Sequence, residues 1–167
     1  MDLDTLFNDR NELINVLNNE SDIGCILVSV SFLDECLVIL LKDIFIKSSY
    51  TVENILKPDG LLGEFSSKAK LCYCLSLIDK KKYSDLIKIA EIRNLFAHSH
   101  ILLSFNNLDI QRKCNELKSF DDSWTSEYIE TMFDNLNVIA RQKFIHTVTN
   151  IINDIMARGY LDRILHK

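Results

Sequence analysis

The sequence predicts an all-α protein: a single-domain helical bundle over residues 1–167, organised around one long apolar central helix. Three observations lead there. Four glycines and one proline in 167 residues leave little material for the tight turns of a many-stranded sheet. Apolar residues recur at intervals of three and four through most of the chain, the repeat of helices with one buried face. Residues 23–46 form an apolar run too long for a strand. A composition of 47% hydrophobic and 26% charged residues is that of a globular domain. At this length roughly 70% of the unfolded surface can be buried.

In chain order, Leu6, Leu13, Val16 and Leu17 mark a short amphipathic helix over 4–18. Asn19, Ser21 and Asp22 are favourable N-cap types ahead of the central helix, 23–46. That helix is long enough to span a bilayer. Asp34 and Glu35 at its centre argue otherwise, since each charge at mid-membrane costs about 2.5–3.5 kcal/mol, and a soluble bundle can turn both acids to a polar seam. Thr51 caps a short helix that stops near Pro58 and Gly60. A serine cap at 66–67 opens a helix continuing over 68–78, and 79–82, with its lysines, reads as a solvated connection. The spacing of Leu86, Ile89, Ala90 and Phe96 predicts a helix over 81–97. After an extended stretch at 103–107, short helices follow at 108–117 and 124–133. A strongly amphipathic helix over 138–156 then carries Phe144, Ile145, Val148, Ile151, Ile152 and Ile155 on one stripe, with Gly159 as its stop.

Polar residues converge in one place. Arg93, Asn94 and His98 sit near the end of the 81–97 helix, where Asn94 and His98, four apart, share a face and Arg93 lies about 100° round. One reading is chemical: a histidine can move a proton at a ribose hydroxyl or leaving oxygen, and an arginine can stabilise the charge on a phosphorane-like transition state without any metal. The other is structural or partner-facing: Arg93 pairs with Asp34 or Glu35 on the central helix, Asn94 satisfies a loop carbonyl, and His98 caps its helix end.

Other chemistry is poorly supported. The histidines, His98, His100, His146 and His166, lack neighbouring acids or cysteines at ligand spacing, so neither a metal nor a cofactor is implied. Cys25, Cys36, Cys72, Cys74 and Cys114 lack C-x-x-C pairing and read as reduced, buried thiols. The best basic patch, Lys80, Lys81 and Lys82 with Lys68, Lys70 and Lys88, belongs to a chain of net charge −5. No helix-turn-helix pattern accompanies it, which argues against direct DNA reading. The acidic start, Met1-Asp2-Leu3-Asp4, is not that of a signal peptide, and a cytoplasmic protein follows.

Several phrases together resemble the MtlR (mannitol operon repressor) family. They are Gly63-Glu64-Phe65-Ser66-Ser67-Lys68-Ala69-Lys70-Leu71-Cys72-Tyr73, Ile92-Arg93-Asn94-x-Phe96-Ala97-His98, Leu103-Ser104-Phe105, and Cys114-x-x-Leu117, together with the acidic pair Asp34-Glu35. The resemblance implies a compact all-α domain acting in bacterial transcriptional repression through a regulatory protein partner. A homodimer is the expected state, and the acids Asp34 and Glu35 argue against a membrane role. Arg93, Asn94 and His98 are also similar to the Arg-Asn-x-x-x-His signature of HEPN domains. That similarity implies an alternative, a metal-independent endoribonuclease acting as toxin or defence effector, with RNA as its substrate and His98 as general acid or base.

Overall fold

A computed structural model describes residues 13, 15–46, 49–99, 103–120 and 136–165. The predicted first helix enters it only through its end, helical at 15–19, and the helix predicted at 124–133 lies outside the described residues. Among the described residues the chain forms α1 (Asp22–Ile44), α2 (Ser49–Leu56), α3 (Phe65–Cys74), α4 (Lys80–His98), α5 (Leu108–Asn115) and α6 (Leu136–Leu165), with no strand. The all-α expectation holds.

α1 begins where its capping chemistry dictates, because the Ser21 side chain accepts the Gly24 N–H at 3.1 Å, satisfying one of the orphan donors of the first turn. It ends as Phe45 turns extended. By length and composition α1 could cross a membrane, yet α3, α4 and α6 all pack against it. Cys25, Ile26, Leu33, Leu37 and Leu41 are buried in the shared core. Phe105 sits at the centre of that core, its ring 6.4 Å from Phe96 and 5.6 Å from Phe144.

Several boundaries differ from the prediction, each for a local reason. α3 starts at Phe65 after Glu64, which makes no side-chain cap bond, so the expected serine cap falls inside the first turn. It stops short of Ile78 because Ser76 adopts φ 57°. The Ser76 N–H then donates to the Tyr73 carbonyl at 3.0 Å and the Leu77 N–H to that of Cys72 at 2.9 Å, the paired bonds of a Schellman turn. The lysine-rich 79–82 stretch is the start of α4 rather than a solvated connection, since Asp79 accepts the Lys82 N–H at 2.8 Å. Finally α6 runs through Gly159 to Leu165. One helical glycine costs only about 1 kcal/mol, too little to end so long a helix.

A left-handed serine is strained by about 1–2 kcal/mol relative to glycine. Replacing Ser76 by Gly relieves that strain but frees the unfolded chain. The expected result is a net gain of about 0.5–1 kcal/mol, read as a higher urea midpoint with unchanged slope.

Two polar lashings hold α6 against the rest. Near one end the Arg141 guanidinium pairs with Asp22 and donates to the carbonyls of Leu17, at 2.9 Å, and Glu20. It also lies 5.9 Å from the Phe105 ring centre. Asp22 uses its other oxygen to accept the Phe105 N–H at 2.9 Å. Farther along, Asp154 meets Lys82 Nζ at 3.0 Å, and Arg158 donates to the carbonyls of Ser76 and Leu77 at 2.9 and 2.7 Å.

Candidate functional site

The end of α4 and the start of α5 enclose a groove of about 590 Å³ lined by Glu91, Asn94, Leu95, His98, Leu103 and Lys113, among others. Helical spacing puts Asn94 and His98 on the same wall, both exposed. The opposite wall is built by the Asn107 cap, whose side-chain oxygen accepts the Asp109 N–H at 2.9 Å. This fixes the first turn of α5, in which Leu108 is strongly exposed. Lys113 bonds Glu91 at 2.5 Å and Lys88 pairs with Glu116, so the two helices are tied by ion pairs along the groove. The pairing with Lys88 holds the Glu116 carboxyl below the ordinary range and raises the Lys88 ammonium above it.

Arg93 does not line this groove. It is half-buried on an adjoining face of α4, where its charge acts on the Asp34 carboxyl. The clamp predicted between Arg93 and Asp34 or Glu35 is corrected by the structure. Among the described residues no ion pair within 4 Å joins Arg93 to either acid, and the cation that meets Asp34 is Lys68. Lys68 is only 1% exposed; its Nζ donates to the carbonyls of Gly63 at 2.8 Å and Leu62 at 3.2 Å. It also lies 3.0 Å from Asp34 Oδ1, an ion pair whose angle falls outside hydrogen-bond geometry. The physical reason is the 57–63 loop. A Cβ on Gly63 would lie 2.2 Å from the Pro58 carbonyl oxygen, so only glycine lets the loop fold back tightly enough to offer its carbonyls to an ammonium. Burial pushes the Asp34 carboxyl up, against the lowering influence of Lys68.

The same observation reduces the predicted basic patch to the exposed Lys70, Lys80 and Lys81. Lys68 is internal, and Lys82 is held between Asp79 at 2.5 Å and Asp154 at 3.0 Å. Cys25, Cys36, Cys72 and Cys114 are buried as predicted, while Cys74 is exposed. Burial pushes the Cys25 thiol up to about 11 and those of Cys36, Cys72 and Cys114 up to about 12, leaving them protonated and unreactive at neutral pH. His146 is half-buried, edge-on to Phe120 at 6.0 Å, and its pKa is lowered by burial. His100 and His166 lie outside the described residues. Among the described residues no group of three or more His, Cys, Asp or Glu is placed to hold a metal ion.

Two important polar residues escaped the sequence reading. Arg141 left no local signal, because its partners are more than a hundred residues away. Asp85 did leave one. It falls on the apolar stripe of α4 with Leu86, Ile89 and Ile92, is 1% exposed, and accepts the N–H groups of Lys118 at 2.9 Å and Ser119 at 2.6 Å. An acid on a buried stripe implies waiting donors.

Comparison with known proteins connects this fold to a family. The family model described as mannitol repressor, MtlR, matches residues 9–158. Mannitol operon repressors from two strains of Escherichia coli are each 28% identical over 113 residues, covering 65% of this chain and 58% of theirs; the chain thus spans less than two thirds of these relatives. The structure resembles that of MtlR in an MtlR–HPr complex from Escherichia coli, with TM-score 0.70 and 22% identity over 88% of this chain and 98% of that one. It also resembles YggD from Shigella flexneri 2a, described as a possible transcriptional regulator, with TM-score 0.72 and 14% identity over 87% and 96% of the two chains. At such identities the structural likenesses speak for the fold, and the match over residues 9–158 speaks for descent: the chain belongs to the mannitol repressor (MtlR) family.

Proposed function

We propose that the protein is a cytoplasmic regulator, a repressor or co-regulator of transcription, that works by docking a protein partner of the HPr type rather than by reading DNA. The observation that carries this reading is the family match over residues 9–158, joined to a solved relative of the same fold in complex with HPr. The α4–α5 groove suits such contact. It offers Leu95 and Leu103 for apolar burial, with Asn94, His98 and Lys113 as polar groups around them, the mixture of apolar and polar contacts found in protein interfaces. Leu108, between the lining residues Asn107 and Asp109, adds an exposed apolar side chain next to it in sequence. The net charge of −5 and the internal pairing of Lys68 and Lys82 support partner docking over phosphate-backbone binding.

Calorimetric titration with HPr from the same organism tests this. Binding is expected for the native chain, weakened at least about tenfold by Leu108→Asp or His98→Ala. Absence of binding at about 100 μM of each protein, well above a micromolar Kd, would remove HPr as the partner. Nanomolar, salt-sensitive binding to one promoter would overturn the protein-contact mechanism.

The ribonuclease reading ranks second. It draws support from the exposure of Asn94 and His98 on one groove, but Arg93 does not line that groove. Intact RNA after incubation with the native protein in EDTA is the expected result. Cleavage that disappears in folded His98→Ala and Arg93→Ala proteins would reverse the ranking.

A further inference from the structure

A second surface, away from the α4–α5 groove, carries the information for self-association. On α1, Ile23, Leu27, Ser31 and Asp34 follow one another at steps of four, four and three, so they share one face spanning about 80° of the helix. The rest of α1 is largely covered, yet Ile23 and Leu27 are 45% and 47% exposed and Ser31 is also exposed. Ile23 and Leu27, one turn apart, form a contiguous apolar strip on an otherwise largely covered helix, and contiguous exposed apolar surface is what marks an interaction site. The neighbouring face of α4 adjoins this strip because α4 packs against α1; it carries the half-buried Arg93 and, four residues on, Ala97, which is small and exposed.

The charges decide the occupant. Glu35 and Arg93 are each half-withdrawn from water, and among the described residues neither has an ion-pair partner within 4 Å. Asp34 between them is already engaged by Lys68. A two-fold contact requires a patch that complements itself, so that each residue meets on the other copy what its own side offers. A patch with one unpaired acid, one unpaired base and an apolar strip meets that requirement, whereas a basic or an acidic partner would leave one of the two charges buried without a counterion.

We propose that the α1–α4 face is a homodimer surface, in which Ile23 and Leu27 of the two copies pack together and Arg93 of each copy pairs with Glu35 of the other. The proposal is independent of the HPr reading, which concerns the α4–α5 groove. Sedimentation velocity of the full chain at concentrations up to about 100 μM tests it. A dimer is expected for the native protein and a monomer for Leu27→Asp with helical circular dichroism unchanged. Arg93→Glu is expected to raise the dimer Kd at least tenfold, and the added Glu35→Arg change to recover most of that loss. This charge-swap pair keeps the test decisive if the Leu27 variant misfolds. A native chain that is monomeric throughout overturns the proposal, as does a folded Leu27→Asp protein that remains dimeric. HPr binding retained by the Leu27→Asp monomer separates the two surfaces; HPr binding lost by that variant while the native chain is monomeric assigns the face to a different partner and also overturns it.

Discussion

Asp85→Ala is expected to destabilise the protein by about 3 kcal/mol, because it removes a buried carboxylate that accepts two part-buried N–H groups at once. Asp85 is the fixed point for the segment after α5: its carboxylate holds Lys118 and Ser119, while Asn150 on α6 donates to the Ser119 carbonyl at 2.9 Å. The flanking Leu117 and Phe120 are buried and rely on that anchorage. Asp85→Asn keeps an oxygen acceptor without the charge and is expected to lose about half as much. Chemical denaturation gives the magnitudes. Hydrogen exchange localises them, with the Lys118 and Ser119 amides losing protection ahead of the rest. Uniform loss of protection would mean that the carboxylate supports α4 itself rather than the segment it holds.

Lys68→Met is the second large effect, again about 3 kcal/mol at neutral pH. Methionine fills nearly the same volume, so the change isolates the polar loss: two loop carbonyls forfeit their donor and Asp34 forfeits its cation. The pH dependence supplies a signature. Burial already raises the folded pKa of Asp34 while Lys68 lowers it, so removing Lys68 raises it further. An acid with a raised folded pKa binds its proton more tightly in the folded state, and stability therefore falls as pH rises from the unfolded value, about 4, through the folded one. The deficit of the variant relative to the native protein is accordingly expected to widen from pH 4 towards pH 7. A deficit independent of pH would show that the lost carbonyl bonds, rather than the ion pair, dominate.

The contrast between these residues shows what the sequence makes legible. Helix positions follow from periodicity, and Ser21 at the α1 start conforms to its residue type, as does the Asn107 cap of α5, because capping is local chemistry. Ser76 was illegible since nothing in a serine marks left-handed backbone; the turn is imposed by the hydrogen bonds of its neighbours. The predicted site was legible in part. Asn94 and His98 meet on one groove because helical spacing alone brings them together. That Asp34 meets Lys68 rather than Arg93 depends on how the Gly63 loop folds, which no spacing within α4 can reveal. Lys68, in a polar phrase beside serines, looked like surface for the same reason.

The Asp22–Arg141 pair joins positions 119 apart in the chain, and its significance extends to biosynthesis. A contact of that span forms only after nearly all intervening residues have left the ribosome, and loops of such length close slowly relative to local helix formation. The most apolar helix of the protein is therefore made early and receives its covering helix last. Throughout that interval α1 is a sticky segment without a lid, the species for which nascent-chain chaperones compete with aggregation.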